Sequence, residues 1–242
     1  MLAGRLVVSV SLVLGACGDD GAGPVDAPIV PVDIDNGSCG DQIRFTGEYI
    51  DWDSHNSFCG INEAVIEVAG GGAMDNTAPN GRFDLCAPDA PTTRLDVTQP
   101  AGNSQCTTPP SGYSVPTILF ANKAVIQSGG FFSGRSFTTA RQATFFQMIG
   151  AAFDSNKAHV FVHIDGPERT VSISAPHGLT QSVRVGIVSN DWVTGAQGTD
   201  VFFPNVDVGT GTTMLTTDTA AIGTGSIPLV AGTITNVSIN AR

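Results

Sequence analysis

Positive charge is scarce in this chain. Of its 242 residues, 11 are Lys or Arg against 22 Asp or Glu, a formal net charge of −11, and its lysines are Lys123 and Lys157. A nucleic-acid binder needs a basic footprint to release phosphate counterions, so that class of partner is excluded. Catalytic motifs are missing as well: there is no G-x-S-x-G elbow, no H-E-x-x-H, no Walker-type phosphate loop and no C-x-x-C. The glycines from Gly209 to Gly225 sit among Thr and Ser, without the strand–loop–helix context that a phosphate cradle requires. The glutamates are Glu48, Glu63, Glu67 and Glu168. Glu63 and Glu67 share a strand face but lie about 13 Å apart, too far for a glycosidase pair. No nucleophile, base and orienting group can be assembled from these residues. The expectation is a protein that is not an enzyme and has no cofactor.

Long apolar runs are also absent. The run from Leu6 to Leu14 falls well short of the roughly 20 residues that span a bilayer as a helix. With Arg5 before it, residues 1–16 read as a signal peptide rather than an anchor. Leu14-Gly15-Ala16-Cys17 resembles a bacterial lipobox. That resemblance implies cleavage before Cys17 and a lipid on Cys17, hence an exported protein held to the bacterial membrane, at the outer membrane or cell surface. An ordinary secretory signal with an incidental Cys17 is the competing reading. Residues 17–40 then form a tether with Asp19, Asp20, Asp26, Asp33 and Asp35, with Pro24, Pro28 and Pro31, and with no basic residue. One sign of charge and low hydrophobicity predict disorder, and proline predicts extension. Acidic residues are repelled from anionic headgroups, so the folded part should stand away from the membrane. Asp33-Ile34-Asp35 opens like a calcium loop, but Arg44 occupies the twelfth position, where that loop needs glutamate.

What is abundant is turn chemistry: 29 Gly and 14 Pro beside a 41% hydrophobic content, a composition of short strands around a packed core. The stretch from Thr46 to Leu85 shows it best. Phe45, Gly47 and Tyr49 share one side of a strand, Ala64, Ile66 and Val68 share one side of the next, and Asn80-Gly81 turns the chain into a third. Gly47, Asp51, Gly60, Ala64, Val68, Thr77, Gly81 and Phe83 fall where the carboxypeptidase regulatory-like domain carries G-x-V-x-D, G-x-x-x-A-x-V-x-V and T-x-x-x-G-x-F. The chain resembles that family here, which implies a prealbumin-like β-sandwich over residues 41–128. Its later strands are expected at Arg94–Thr98 and Ser114–Phe120, with a last edge at Val125–Gln127. Residues 129–150 form a connector, with a helix over Ser136–Ile149 capped by Ser136 or Thr138 and ended by Gly150. Phe137, Ala140, Thr144, Phe145, Met148 and Ile149 make its apolar stripe, expected to pack into the core.

Residues 151–242 alternate again. Val160, Val162 and Ile164 face one way, His159, Phe161 and His163 the other, and further strands are expected at 170–174, 183–188, 200–203, 213–216 and 235–240. TDVFFPNVDVGTGTTML and the ending AGTITNVSINA resemble the same family's late elements, the second its closing edge strand. The fold class expected is therefore mainly β: two antiparallel prealbumin- or immunoglobulin-like β-sandwich units with one short connecting helix.

Candidate ligand groups are few. Asp51, Asp53, His55 and Asn56 crowd one turn, but Asn56 at the sixth position and Asn62 at the twelfth fail the EF-hand loop, so a solvated turn is expected. His159 and His163 lie about 13 Å apart along a strand and cannot share a metal without bending it. Asn205 and Asp207 fit a turn, either structural or calcium-binding. Intradiol ring-cleaving dioxygenases resemble the chain around its first strands and hold iron with two tyrosines and two histidines. This chain has Tyr49, Tyr113 and four histidines, but not that family's closely spaced His-x-His.

With Cys17 given to a lipid, Cys39, Cys59, Cys86 and Cys106 remain, an even number for an oxidising compartment and open to three pairings. The resembled sandwich chooses among them. It pairs the first strand with the one at Arg82–Leu85 and the second with Arg94–Thr98, which implies Cys39–Cys86 and Cys59–Cys106. The function expected is a non-catalytic, lipid-anchored envelope protein, a binding or scaffolding module whose partner is a cell-surface glycan or envelope protein. Two alternatives compete. A carbohydrate-binding, adhesin-like protein would expose Trp52 or Trp192 beside a cleft, and a metalloenzyme of the intradiol dioxygenase type would bind iron.

Overall fold

The computed structural model describes residues 39–52, 59–100, 106, 110–130, 132–184 and 192–242. The leader, Cys17, the tether up to residue 38, the turn residues Asp53, His55 and Asn56, and residues 185–188 of an expected strand lie outside them.

Strand β1 (Ile43–Asp51) pairs antiparallel with β4 (Arg82–Ala87), setting Phe45 opposite Leu85 and Gly47 opposite Phe83. The glycine is required, since a Cβ at position 47 would lie 2.7 Å from the Phe83 ring and 2.8 Å from the Phe132 carbonyl oxygen. Gly81 turns the chain into β4 at φ 76°, a conformation open to glycine at little cost. On the other side of β1 lies β7 (Phe132–Ser136), in parallel. These three strands form one sheet, in the order β4-β1-β7.

A second sheet has nine strands, in the order β11-β10-β13-β8-β16-β6-β5-β2-β3. The first half of the chain supplies β2 (Val65–Val68), β3 (Met74–Asn76), β5 (Thr92–Thr98) and β6 (Thr117–Asn122). The second half supplies β8 (Ala158–Asp165), β10 (Gln181–Val183), β11 (Val193–Thr194), β13 (Asp200–Val206) and β16 (Ile234–Asn240). A third sheet, in the order β12-β9-β14-β15, holds β9 (Arg169–Ile173), β12 (Gln197–Gly198), β14 (Thr212–Thr217) and β15 (Gly225–Pro228).

The result is mainly β, two sandwich cores built on one shared sheet. Neighbouring residues on a strand face opposite ways. Leu119 of β6 joins the core of Phe45, Tyr49, Ile66, Phe83 and Leu95, while Phe120 packs with Val160, Val162, Val171, Leu215 and Val237. The two cores therefore lie on opposite faces of the nine-stranded sheet. A third, aromatic core holds Trp52, Phe137, Phe145, Phe146, Phe161, Trp192 and Phe202.

Several expectations are corrected. Helix α2 spans Thr139–Met148, its first turn capped by Thr138, whose hydroxyl accepts the Arg141 amide. Ser136 belongs to β7 instead. Phe145 and Phe146 face the core, whereas Met148 is exposed. Val125–Gln127 is not an edge strand but part of a second helix, α1 (Lys123–Gln127), because the Asn122 side chain accepts the Ala124 amide and caps a turn. Nor are the sheets wholly antiparallel, since β1–β7, β16–β6 and β16–β8 pair in parallel.

The largest correction concerns β16. The resemblance of AGTITNVSINA to a family's closing strand implies an edge position, yet β16 lies between β6 and β8, and all seven of its residues are buried. Asn236 and Ser238 face the free edge of β7. Asn236 Oδ1 accepts the Arg135 amide (2.8 Å), Asn236 Nδ2 donates to the Arg135 carbonyl (3.3 Å), and Ser238 Oγ accepts the Ser133 amide (3.2 Å). Asn240 Nδ2 donates to Ser128 Oγ just beyond α1 (2.8 Å). Side chains thus replace a neighbouring strand and satisfy an edge that water cannot reach. Asn236→Leu is expected to cost about 2–4 kcal/mol, because it strands both backbone groups of Arg135. Urea unfolding measures that loss, and faster exchange of the Arg135 amide locates it.

Candidate functional site

Three ionisable side chains meet on the seam between β7, β8 and β13. Arg135 and Asp200 are both buried, with Nη2 to Oδ2 at 3.7 Å. Arg135 Nη1 also donates to the Trp52 carbonyl (3.0 Å), and the guanidinium lies 5.5 Å from the Phe161 ring centroid. The other carboxylate oxygen of Asp200 lies 2.8 Å from His163 Nδ1. Register puts Asp200, His163 and Ser238 in one row across three adjacent strands. An acid, a base and a hydroxyl in a row are the residue types of a hydrolytic triad, but Ser238 is buried, and its oxygen accepts a backbone amide. Arg135 and Asp200 escaped the sequence reading because neither lies in a motif.

A second cluster surrounds Tyr49. Its hydroxyl donates to Thr117 Oγ1 (2.9 Å), and Gln99 Nε2 reaches the Tyr49 oxygen (2.5 Å), Ser136 Oγ (3.1 Å) and the Val115 carbonyl (3.2 Å). Burial pushes the Tyr49 hydroxyl up to about 12, against lowering hydrogen bonds. Tyr113 donates instead to Asp51 Oδ2 (3.0 Å). The two tyrosines and the histidines His159 and His163 thus each have their own surroundings. Among the described residues, no three or more His, Cys, Asp or Glu are grouped to hold a metal ion.

Asn205 and Asp207 are structural. The Asn205 side chain ties Ala152 and Asp154, and Asp207 pairs with Lys157. Neither tryptophan offers a sugar platform: Trp52 is 0% exposed and Trp192 7%. Their rings stack with centroids 5.1 Å apart, and Trp52 stacks on Phe137 at 3.8 Å. Two pockets lie elsewhere. One of about 370 Å³, at the root of β1, is lined by Asp41, Gln42, Gln127 and the Lys123–Asp89 ion pair. Another, of about 610 Å³, lies against β4, where Asp75 Oδ2 accepts the Asp84 amide (2.7 Å) and closes that edge.

Disulfides join Cys39 to Cys86 and Cys59 to Cys106, with Cα atoms 5.5 and 5.9 Å apart. No family model and no curated protein matches this chain. Among solved structures it is similar to the Bacillus anthracis TIE protein, at 7% identity and a TM-score of 0.22 over 82% of this chain. The match takes in 33% of that protein, so this chain spans about a third of its length.

Proposed function

We propose that the protein is a non-catalytic, lipid-anchored module of the bacterial envelope, exported, acylated on Cys17 and held off the membrane by its acidic tether. The observation that carries this is the order of features along the chain. A short apolar leader ends in Leu14-Gly15-Ala16-Cys17, an acidic proline-bearing stretch follows, and a disulfide-bonded body begins at Cys39. Two disulfides suit an oxidising compartment. The polar side chains described above bond to one another and to backbone, which supports a binding or scaffolding role rather than chemistry. With Trp52 and Trp192 inside the aromatic core, the glycan-binding alternative loses the rings it would have used. The partner favoured is an envelope protein.

Stable attachment takes two or more acyl chains, since one alone binds marginally. The wild-type protein is therefore expected in the membrane fraction of an expressing bacterium, and Cys17→Ser in the soluble fraction or retained with its leader uncut. Equal partition of the two proteins, with the leader removed from both, would count against the anchor.

A further inference from the structure

We propose that His159 is an acid-triggered release for the segment joining α2 to β8. The ring lies between Phe153 (centroids 4.5 Å apart, 19° between planes) and Phe202 (6.1 Å, 12°), with Phe146 edge-on at 5.5 Å. Its Nδ1 accepts the Asn205 amide N–H at 3.2 Å, which places the proton of the neutral ring on Nε2. Nε2 is buried and makes no hydrogen bond of good geometry, although the Asp154 backbone carbonyl acts on the ring.

Asn205 sits where the β13–β8 register shifts between Phe203 and Val206, and it holds φ 51°, in the left-handed region. Its side chain secures the joining segment at two points: Oδ1 accepts the Asp154 amide (3.1 Å) and Nδ2 donates to the Ala152 carbonyl (2.8 Å). One imidazole nitrogen therefore holds Asn205, and Asn205 holds the segment. Protonation puts a hydrogen on Nδ1, so two N–H groups face each other and a charge appears inside an aromatic box. Both changes push Asn205 away.

The charged groups nearby are few. Asp154 lies on the joining segment, and the Lys157–Asp207 pair follows the register shift. Packing against the ring are Phe146 from α2 and, in register on β16, Ile234, neither of them charged. Burial pushes the His159 pKa down to about 4, outweighing the charge and backbone carbonyl of Asp154, which act to raise it. A histidine depressed on folding is neutral in the native state and charged in the unfolded chain. Its contribution to stability is therefore full above pH 6.5, falls as pH drops from 6.5 to about 4, and is flat below that.

The test follows the His159 ring proton by NMR, with amide exchange at Asn205 and residues 152–156, from pH 7 to pH 3.5. The expected result is a native-state midpoint near 4. At least about tenfold of exchange protection should be lost at those amides relative to the β5–β6 pair, beyond the intrinsic pH effect. In His159→Gln, which keeps an acceptor and cannot titrate, that extra loss should vanish. If the variant does not fold, the wild-type titration decides alone. A His159 midpoint near 6.5 with Asn205 still protected overturns the proposal, and so does uniform loss of protection across the sheet.

Discussion

Removing both disulfides by Cys39→Ser/Cys86→Ser with Cys59→Ser/Cys106→Ser is expected to unfold much of the protein at 37 °C. Each bridge spans a sequence separation of 47 residues, and a loop of that length is worth about 4 kcal/mol in the chain-entropy model, within a usual range of about 2–5. Folded domains have only about 5–15 kcal/mol in hand. The two bridges do different work. Cys39–Cys86 joins the turn before β1 to the strand that β1 already pairs with, where Cys86 stands opposite Arg44, whose Nε donates to Asp84 Oδ1 (2.9 Å). Cys59–Cys106 ties residues beyond β1 to the connection between β5 and β6, a link that no strand pairing described here makes. Its removal should therefore lower stability more. Urea unfolding of the two paired variants checks the ranking. A midpoint unchanged in both would contradict the account of the first core.

Arg135→Met carries the next largest expected effect, a loss of about 3–5 kcal/mol, because it leaves Asp200 buried without its guanidinium partner. Methionine keeps most of the volume over Phe161, so the loss reports charge and hydrogen bonding rather than a cavity. In Arg135→Met/Asp200→Asn no carboxylate remains buried at this position. The amide that replaces it can still meet His163 Nδ1, so the double variant should recover about half of the loss. A double-mutant cycle by urea unfolding measures the coupling. Additive single effects would show that the 3.7 Å pair does not act as a unit.

Period-two patterning made much of this legible in the sequence. The alternation of Phe45, Gly47 and Tyr49 and of Val160, Val162 and Ile164 located β1 and β8, and Asn80-Gly81 located the turn into β4. Strand order carried from a resembled family implied the two disulfides that the structure contains. What stayed hidden depends on partners far along the chain. β7 reads FSGRS and is buried at every position, so it has no alternation to detect. Its edge is completed by Asn236, 101 residues after Arg135, and no local signal reports such a partner. The same holds for Asn236, Ser238 and Asn240, polar residues that mimic a solvent face while bonding inside the fold. The Arg135–Asp200–His163 seam joins three strands and lies in no motif.

The central claim is the lipid on Cys17, and mass spectrometry of the N-terminal peptide, from protein isolated with the membranes of an expressing bacterium, tests it most directly. The account predicts a peptide that begins at Cys17 and carries two or more acyl chains. An unmodified peptide beginning anywhere else, from protein that needs no detergent to stay in solution, would contradict it.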